Sequence, residues 1–161
     1  MGIAASRAGL LRTTLPQASP EAAQQLLDDL LKTAVPDDGT FSGLANRLRR
    51  YFEGEPVDFE DALDPEGASQ FYRQVWQATR SIPYGETRSY AWVAREIGRP
   101  RASRAVGQAL GRNPFPIVVP CHRVLGSDGS LCGFGGGLEM KRRLLEIEAG
   151  AENLRSSARP W

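Results

Sequence analysis

The most informative stretch of the chain is Ile117-Val118-Val119-Pro120-Cys121-His122-Arg123-Val124. It places the only histidine of the chain directly after one of its two cysteines. A cysteine is nucleophilic as a thiolate, and a nearby imidazole is a common means of forming one at neutral pH. Neighbouring side chains on an extended strand point to opposite faces, so contact between this pair requires a turn at Pro120-Cys121 or a bridging water. The alternative is that Cys121 is a small, buried apolar residue.

Charge is distributed unevenly along the chain, although the formal net charge is only +1. Residues 1–79 carry 7 Lys/Arg and 12 Asp/Glu, whereas residues 80–123 carry 8 Arg and 2 Glu. Arginine suits bidentate contact with phosphates and stacking on bases. The basic middle third therefore indicates either nucleic-acid contact or a solvated face that the acidic first third neutralises.

The bulk properties exclude several classes of protein. A chain of 161 residues forms one domain or two small ones. Its two cysteines, Cys121 and Cys132, provide neither a disulfide framework nor the ligand spacing of a zinc site, so we expect a reducing, cytoplasmic location. No apolar run approaches about 18 residues, so we expect no membrane span. We also expect no metal and no cofactor.

Residues 1–66 predict a small α/β domain. Two short apolar strands, residues 2–6 and 9–15, can pair as a hairpin. Ser19 and Pro20 are typical of a helix start, and residues 42–52 form a second amphipathic pattern. The acidic, proline-containing stretch 53–67 is typical of a linker.

Residues 67–150 predict a second, mostly helical domain, followed by a tail at residues 151–161. Helices are expected at residues 67–80, 90–97, 102–110 and 138–148, with Ser89 as a cap. The middle two are short and joined by a glycine-containing turn, which is the helix-turn-helix pattern.

Several motifs of residues 67–150 follow one another in a specific order. They are Ile82-Pro83-Tyr84-Gly85-Glu86-Thr87, Ser89-Tyr90, Ser103-Arg104-Ala105-Val106-Gly107, Arg112-Asn113-Pro114, Pro120-Cys121-His122-Arg123-Val124 and Gly136-Gly137-Leu138. In order and spacing they resemble the C-terminal domain of the O6-alkylguanine-DNA alkyltransferases. Residues 1–66 resemble the N-terminal domain of that family loosely, with the opening hairpin short by one strand. The resemblance implies a two-lobed α/β fold: a small N-terminal α/β domain with an antiparallel sheet, then a mostly helical domain with a helix-turn-helix and the active-site cysteine.

The resemblance also implies a reaction. An alkyl group on O6 of guanine, and as a further candidate on O4 of thymine, would pass once and irreversibly to Cys121 after the base is flipped out of the duplex. His122 would remove the thiol proton through a water, and Glu148 would orient His122. Asn113 would hold the turn before Cys121, and Tyr90 would donate its phenol to the leaving guanine.

The same resemblance implies that double-stranded DNA binds through its minor groove, to a monomeric protein, against helix 102–110. Arg104 would fill the space left by the flipped base. The expected DNA contacts are Tyr90, Ser103, Arg104, Ala105, Gly107, Arg112 and Arg123. The expected wall of the alkylguanine pocket is Val124, Phe134, Gly135 and Gly136. Phe134 and Gly135 depart from the tyrosine and small polar residue common in the family, which predicts a mobile loop that tolerates larger alkyl groups.

Three other interpretations compete with alkyl transfer. A lesion-sensing relative would bind alkylguanine without chemistry, but such relatives replace the cysteine, and Cys121 is present. A plain helix-turn-helix regulator would not need the Pro-Cys-His-Arg motif. A Cys-His-Glu hydrolase would need an oxyanion hole, which no sequence feature identifies.

Overall fold

The computed structural model describes residues 1–36 and 39–157. The chain opens with strands β1 (Ile3–Ala5) and β2 (Leu10–Thr13), which pair antiparallel with a bulge after Ala4. The predicted hairpin is therefore confirmed. Two short helices, α1 (Pro20–Gln25) and α2 (Asp28–Leu31), precede α3 (Ser42–Phe52).

The first predicted helix is divided in two at Leu27. The backbone of Leu27 leaves the helical region and its amide bonds to the Gln24 carbonyl, which tightens the turn. This turn buries the Leu27 side chain against Gly2, where an added β-carbon would come within 2.7 Å of Leu27 Cδ1. The predicted helix is therefore interrupted at the residue whose side chain is buried.

In the part of the C-terminal region that the structure describes, there are four α-helices and a short parallel pair of strands. In order these are α4 (Gln70–Arg80), β3 (Arg88–Ser89), α5 (Tyr90–Glu96), α6 (Ser103–Gly111), β4 (Val124–Leu125) and α7 (Gly137–Ser157). Ser69 and Ser89 cap α4 and α5, because their hydroxyls accept from the amides of Tyr72 and Trp92. The two short helices predicted as a helix-turn-helix are α5 and α6.

Helix α7 is longer than predicted. The apolar pattern predicted an end near residue 148 and a tail at residues 151–161, but the helix continues through Ser157. The expected tail thus begins inside a helix, and its last four residues lie outside the described part of the chain. None of the described helices is long and apolar enough to cross a membrane.

One hydrophobic core joins the N-terminal and C-terminal regions. Leu48 and Tyr51 of α3 belong to the same buried cluster as Val75 of α4, Val93 of α5 and Leu144 of α7. A side-chain hydrogen bond adds to this packing, because Trp76 Nε1 donates to the Ala109 carbonyl at 2.9 Å and ties α4 to α6.

The parallel pair β3–β4 brings two distant parts of the chain together. Arg88 pairs with Val124, and Ser89 with Leu125. Strand β3 leads directly into α5, whereas β4 directly follows a single 3₁₀ turn at Cys121–Arg123. The start of the helix-turn-helix therefore lies beside the predicted nucleophile.

Candidate active site

The turn that carries Cys121 is held by Asn113. The Asn113 Nδ2 donates to the Val119 carbonyl at 3.0 Å and to the Cys121 sulfur at 3.3 Å, while its Oδ1 accepts from the Phe115 amide at 2.9 Å. Within this turn Ile117 has φ 76°, a conformation that β-branched residues rarely adopt. Such strain costs on the order of 1–3 kcal/mol and persists only where the surroundings fix it. Asn113 therefore links both ends of this turn and also contacts the thiol.

His122 and Glu148 are both buried and form a direct hydrogen bond. The His122 Nε2 lies 2.7 Å from Glu148 Oε1. An ionised carboxylate only accepts, so the hydrogen of the neutral imidazole is on Nε2. The other ring nitrogen, Nδ1, is buried and has no hydrogen-bond partner among the described residues. That nitrogen therefore carries the lone pair available to act as a base.

Arg123 does not face solvent, which corrects the expectation that it contacts DNA. Its Nε donates to Glu148 Oε2 at 2.9 Å, its Nη2 to Oε1 at 3.1 Å and its Nη1 to the Ile82 carbonyl at 2.6 Å. With its side chain 7% exposed, Arg123 serves as the counter-ion of Glu148. The basic pattern of the sequence did not separate this buried arginine from the exposed ones.

The charges of the buried groups follow from these contacts. Burial raises the pKa of Glu148, but the hydrogen bonds from His122 and Arg123 outweigh it and lower that pKa to about 2. Burial lowers the pKa of His122, and the hydrogen bond to Glu148 opposes this only in part. Glu148 is therefore ionised at neutral pH, its charge is balanced by Arg123, and His122 is neutral.

The thiol of Cys121 is protected rather than activated at rest. Burial raises its pKa, while the hydrogen bond from Asn113 and the nearby ammonium of Lys141 act in the opposite direction. Lys141 is itself buried, and its Nζ donates to the Val124 carbonyl at 2.7 Å and to the Cys132 carbonyl at 3.2 Å. The sequence analysis assigned no role to Lys141.

A cavity of about 640 Å³ opens next to Cys121. Its wall includes Tyr90, Ser103, Arg104, Gly107, Cys121, Cys132, Phe134 and Gly135. Two predicted wall residues are absent from it. Val124 is fully buried, with its carbonyl bonded to Lys141. Gly136 faces the N-terminal region instead, because a β-carbon there would come within 2.4 Å of Leu15 Cδ1.

Tyr90 is the first residue of α5 and lies in the cavity wall beside α6. A β-carbon added at Gly107 would be 3.7 Å from the Tyr90 ring, so a small residue lets the ring lie against the helix. Burial, followed by the nearby cysteines, raises the pKa of Tyr90 to about 12. Its phenol is therefore a neutral hydrogen-bond donor at the edge of the cavity.

The remaining predicted DNA contacts lie on or next to α6. Arg104 and Arg112 are exposed, and Ser103 and Ala105 are partly exposed. The guanidinium of Arg112 lies 6.0 Å from the centre of the Tyr72 ring. This surface is positive and lined by small residues next to the cavity mouth, which is the character expected of a surface that approaches a phosphate backbone.

Tyr51 is a contributor to the site that the sequence reasoning missed. It lies on α3, is fully buried, and its hydroxyl donates to Glu148 Oε1 at 2.7 Å. The only available signal was its position on the apolar face of α3, since a buried tyrosine hydroxyl needs a partner.

Within the described residues, no group of three or more His, Cys, Asp and Glu side chains is arranged to hold a metal ion.

Comparisons with known proteins identify the family of the chain. The model of the 6-O-methylguanine DNA methyltransferase DNA-binding domain matches residues 70–150, and that of the family's ribonuclease-like domain matches residues 11–65. The chain therefore belongs to the 6-O-methylguanine DNA methyltransferase family.

Individual relatives are named methylated-DNA–protein-cysteine methyltransferases. A methylated-DNA–protein-cysteine methyltransferase of Mycobacterium tuberculosis is 54% identical over 114 residues, which cover 71% of this chain and 68% of the relative. A protein of that name from Methanosarcina acetivorans is 48% identical over 122 residues, covering 73% and 78%. The crystal structure of M. tuberculosis OGT in complex with DNA matches 92% of this chain and 86% of its own, with a TM-score of 0.76 and 44% identity.

Proposed function

We propose that this chain repairs DNA by direct reversal, moving the alkyl group of O6-alkylguanine to Cys121. Its reaction class is that of the methylated-DNA–protein-cysteine methyltransferases, the name that its relatives carry. The observation that carries the assignment of the acceptor is the position of Cys121 in the wall of a cavity beside α6, next in sequence to the His122–Glu148 pair.

The chemical step balances with the groups at hand. His122 Nδ1 takes the thiol proton through a water, and the thiolate attacks the alkyl carbon in line with the C–O6 bond. An S–C bond forms as the C–O6 bond breaks, and its electron pair stays with guanine. Tyr90 donates a hydrogen bond to the base as this charge develops, and guanine finally takes up one proton. The net change replaces the thiol hydrogen by the alkyl group.

The product is a thioether, which has no good leaving group. The protein therefore reacts once, and its capacity equals the number of Cys121 thiols. Only 8% of Cys121 is exposed and Asn113 Nδ2 lies 3.3 Å from its sulfur, so we expect an added alkyl group to crowd this turn. We expect the alkylated protein to be less stable than the unreacted one.

Access to the lesion requires the base to leave the stack, because no side chain can approach the alkyl carbon in line within a duplex. We assign α6 to the minor groove, with Arg104 entering the space that the base leaves. Arg104 is exposed and lies on the cavity wall, and Ala105 and Gly107 allow close approach. We therefore propose duplex DNA with O6-alkylguanine as the partner of a monomeric protein, with O4-alkylthymine in DNA as a second candidate substrate to be assayed.

A free acceptor thiol requires a reducing compartment, which supports a cytoplasmic location. Cys132 also lies in the cavity wall, but its sulfur contacts Ser130 and, unlike Cys121, it does not neighbour His122 in the sequence, so we assign no transfer to it.

The deciding experiment is intact-protein mass spectrometry after reaction with a duplex that contains one O6-methylguanine. We expect a gain of one methyl group, saturating at one per protein, in the wild type and in Cys132→Ser but not in Cys121→Ser. Tight lesion binding without a mass gain would favour the sensing function. Turnover of an activated ester would favour the hydrolase. A protein that neither binds the lesion nor gains mass would overturn the proposal.

A further inference from the structure

The hydroxyl of Tyr51 reaches the His122–Glu148 pair from the N-terminal region. It lies 2.7 Å from Glu148 Oε1 and 3.1 Å from His122 Nε2, although Tyr51 is 71 residues before His122 and 97 before Glu148. Tyr51 is 0% exposed. A residue outside the region that carries the catalytic motifs thus contacts both His122 and Glu148.

The hydrogens that Tyr51, His122 and Glu148 carry determine which of these groups donates and which accepts. Glu148 is ionised and can only accept, so the Tyr51 O–H and the His122 Nε2–H both point at Glu148 Oε1. Burial, followed by the Glu148 charge, raises the pKa of Tyr51 well above its ordinary value. The phenol therefore remains a donor wherever the protein is folded.

The Tyr51 ring is fixed on several sides, which makes the position of its hydroxyl definite. Phe52, Phe59 and Tyr84 meet it edge-on, with ring centres 5.3, 6.1 and 5.9 Å away. Edge-to-face contacts of this kind restrict both position and tilt. The hydroxyl cannot follow Glu148 if the carboxylate moves, so it holds the carboxylate in one place.

We propose that Tyr51 is a positioning residue for alkyl transfer: its hydroxyl holds Glu148 Oε1 against His122 Nε2 and keeps the imidazole neutral, with its lone pair on Nδ1. Two effects follow from the same hydrogen bond. It fixes the direction of the imidazole, and it takes up part of the carboxylate charge that would otherwise stabilise imidazolium. The inference rests on the proposed function, since an imidazolium cannot accept the proton of Cys121.

The sole histidine of the chain permits a direct test, because ¹⁵N-histidine labelling gives one pair of ring signals. In Tyr51→Phe the ring stays and only the hydroxyl is lost. We expect the titration midpoint of His122 to rise by about one pH unit, a tenfold change in proton affinity. The acid limb of the single-turnover transfer rate should move to higher pH by the same amount.

Tyr84→Phe is the matched control, because its hydroxyl bonds the Ile147 carbonyl at 3.4 Å rather than Glu148. It should leave the His122 midpoint within about 0.2 pH units of the wild type, a small fraction of the shift expected for a lost bond to the carboxylate. Equal midpoints in the wild type and both variants would overturn the proposal and leave Tyr51 as a packing residue.

A second variant decides the matter if Tyr51→Phe does not fold. Replacement of Tyr51 alone by 3-fluorotyrosine retains the hydroxyl and makes it a stronger donor, so the midpoint of His122 should fall. An unchanged midpoint would contradict the proposal. The titration needs no DNA, so the two proposals fail separately. If the wild type transfers the alkyl group but the His122 midpoint does not move in Tyr51→Phe, only the role of Tyr51 is removed. If the midpoint moves but the wild type transfers no alkyl group, the proposed function is overturned.

Discussion

Arg123 and Glu148 form a buried ion pair, with Arg123 Nε 2.9 Å from Glu148 Oε2 and Nη2 3.1 Å from Oε1. The pair joins the turn after Cys121 to helix α7. A third contact, from the Gly85 amide to Glu148 Oε2 at 3.1 Å, adds the turn that precedes β3. One carboxylate therefore fixes the relative positions of three segments that are distant in the sequence.

Loss of Arg123 should destabilise the fold. Arg123→Ala leaves Glu148 charged and buried without its counter-ion, and removing one partner of such a pair costs about 3–5 kcal/mol. Urea denaturation measures this directly. Arg104→Ala is the matched control: Arg104 is exposed, so its loss should change the free energy of unfolding by less than about 0.5 kcal/mol. Arg104→Ala should weaken binding to duplex DNA instead, and a stable Arg123→Ala protein would contradict this account.

Stability should fall as the pH is lowered through the titration of His122. Burial lowers the pKa of His122 below its ordinary value of 6.5, so the unfolded chain binds a proton that the folded chain excludes. The free energy of unfolding is therefore unaffected above pH 6.5 and decreases below it. The pKa of Glu148 is lowered from 4.5 to about 2, so the free energy of unfolding decreases further as the pH falls from 4.5 to about 2.

Denaturation at a series of pH values tests this prediction. His122→Gln removes the only histidine, so its free energy of unfolding should be flat between pH 7 and pH 5.5. A wild-type protein equally stable at both pH values would show that His122 is not held neutral.

Loss of Asn113 should make Cys121 less acidic. Asn113→Ala removes the donor 3.3 Å from the sulfur, and this bond is among the contacts that lower the pKa of the thiol. We expect that pKa to rise further and alkylation by iodoacetamide at pH 8 to slow. Thiolate absorbance in a Cys132→Ser background measures the first effect. An unchanged titration would mean that Asn113 supports the turn alone.

Gly136 and Gly135 provide a matched pair for packing. Gly136→Ala places a methyl group within 2.4 Å of Leu15 Cδ1, 3.2 Å of the Phe134 ring and 3.3 Å of Met140 Cγ. The end of the Leu15 side chain has to shift, so we expect a loss of about 1 kcal/mol, the low end of the overpacking range. Gly135→Ala meets nothing within 4 Å, so its free energy of unfolding should change by less than about 0.5 kcal/mol. Equal losses would show that the effect is general stiffening of the loop rather than contact with Leu15.

The size of the alkyl group should matter at Gly135. This residue lies in the cavity wall, so the methyl group of Gly135→Ala narrows the space next to Phe134. We expect the transfer rate for O6-benzylguanine in DNA to fall by roughly tenfold relative to that for O6-methylguanine, the scale of one carbon in an apolar pocket. The methyl rate is the internal control, and an unchanged ratio would place the benzyl group elsewhere.

Local patterns predicted most elements but not their distant partners. Ser89 as a cap and the two helices that follow it could be read from a few adjacent residues, and the structure has them. The apolar spacing of α3 indicated that Tyr51 is buried, but not that its hydroxyl meets Glu148 97 residues later. Arg123 was expected to contact DNA on the family resemblance, and the arginine-rich character of residues 80–123 gave no reason to doubt this. Sequence charge cannot distinguish an arginine that pairs in the interior from one that faces solvent.

The resting state of Cys121 has a consequence for how long the protein remains usable. A molecule consumed by one reaction has to reach its target before any other electrophile reaches it. At 8% exposure, with burial raising its pKa, Cys121 presents little surface and no ready thiolate to small alkylating agents or oxidants in the cell. The packing that makes the thiol slow in isolation therefore preserves a stock of unreacted protein between rare lesions.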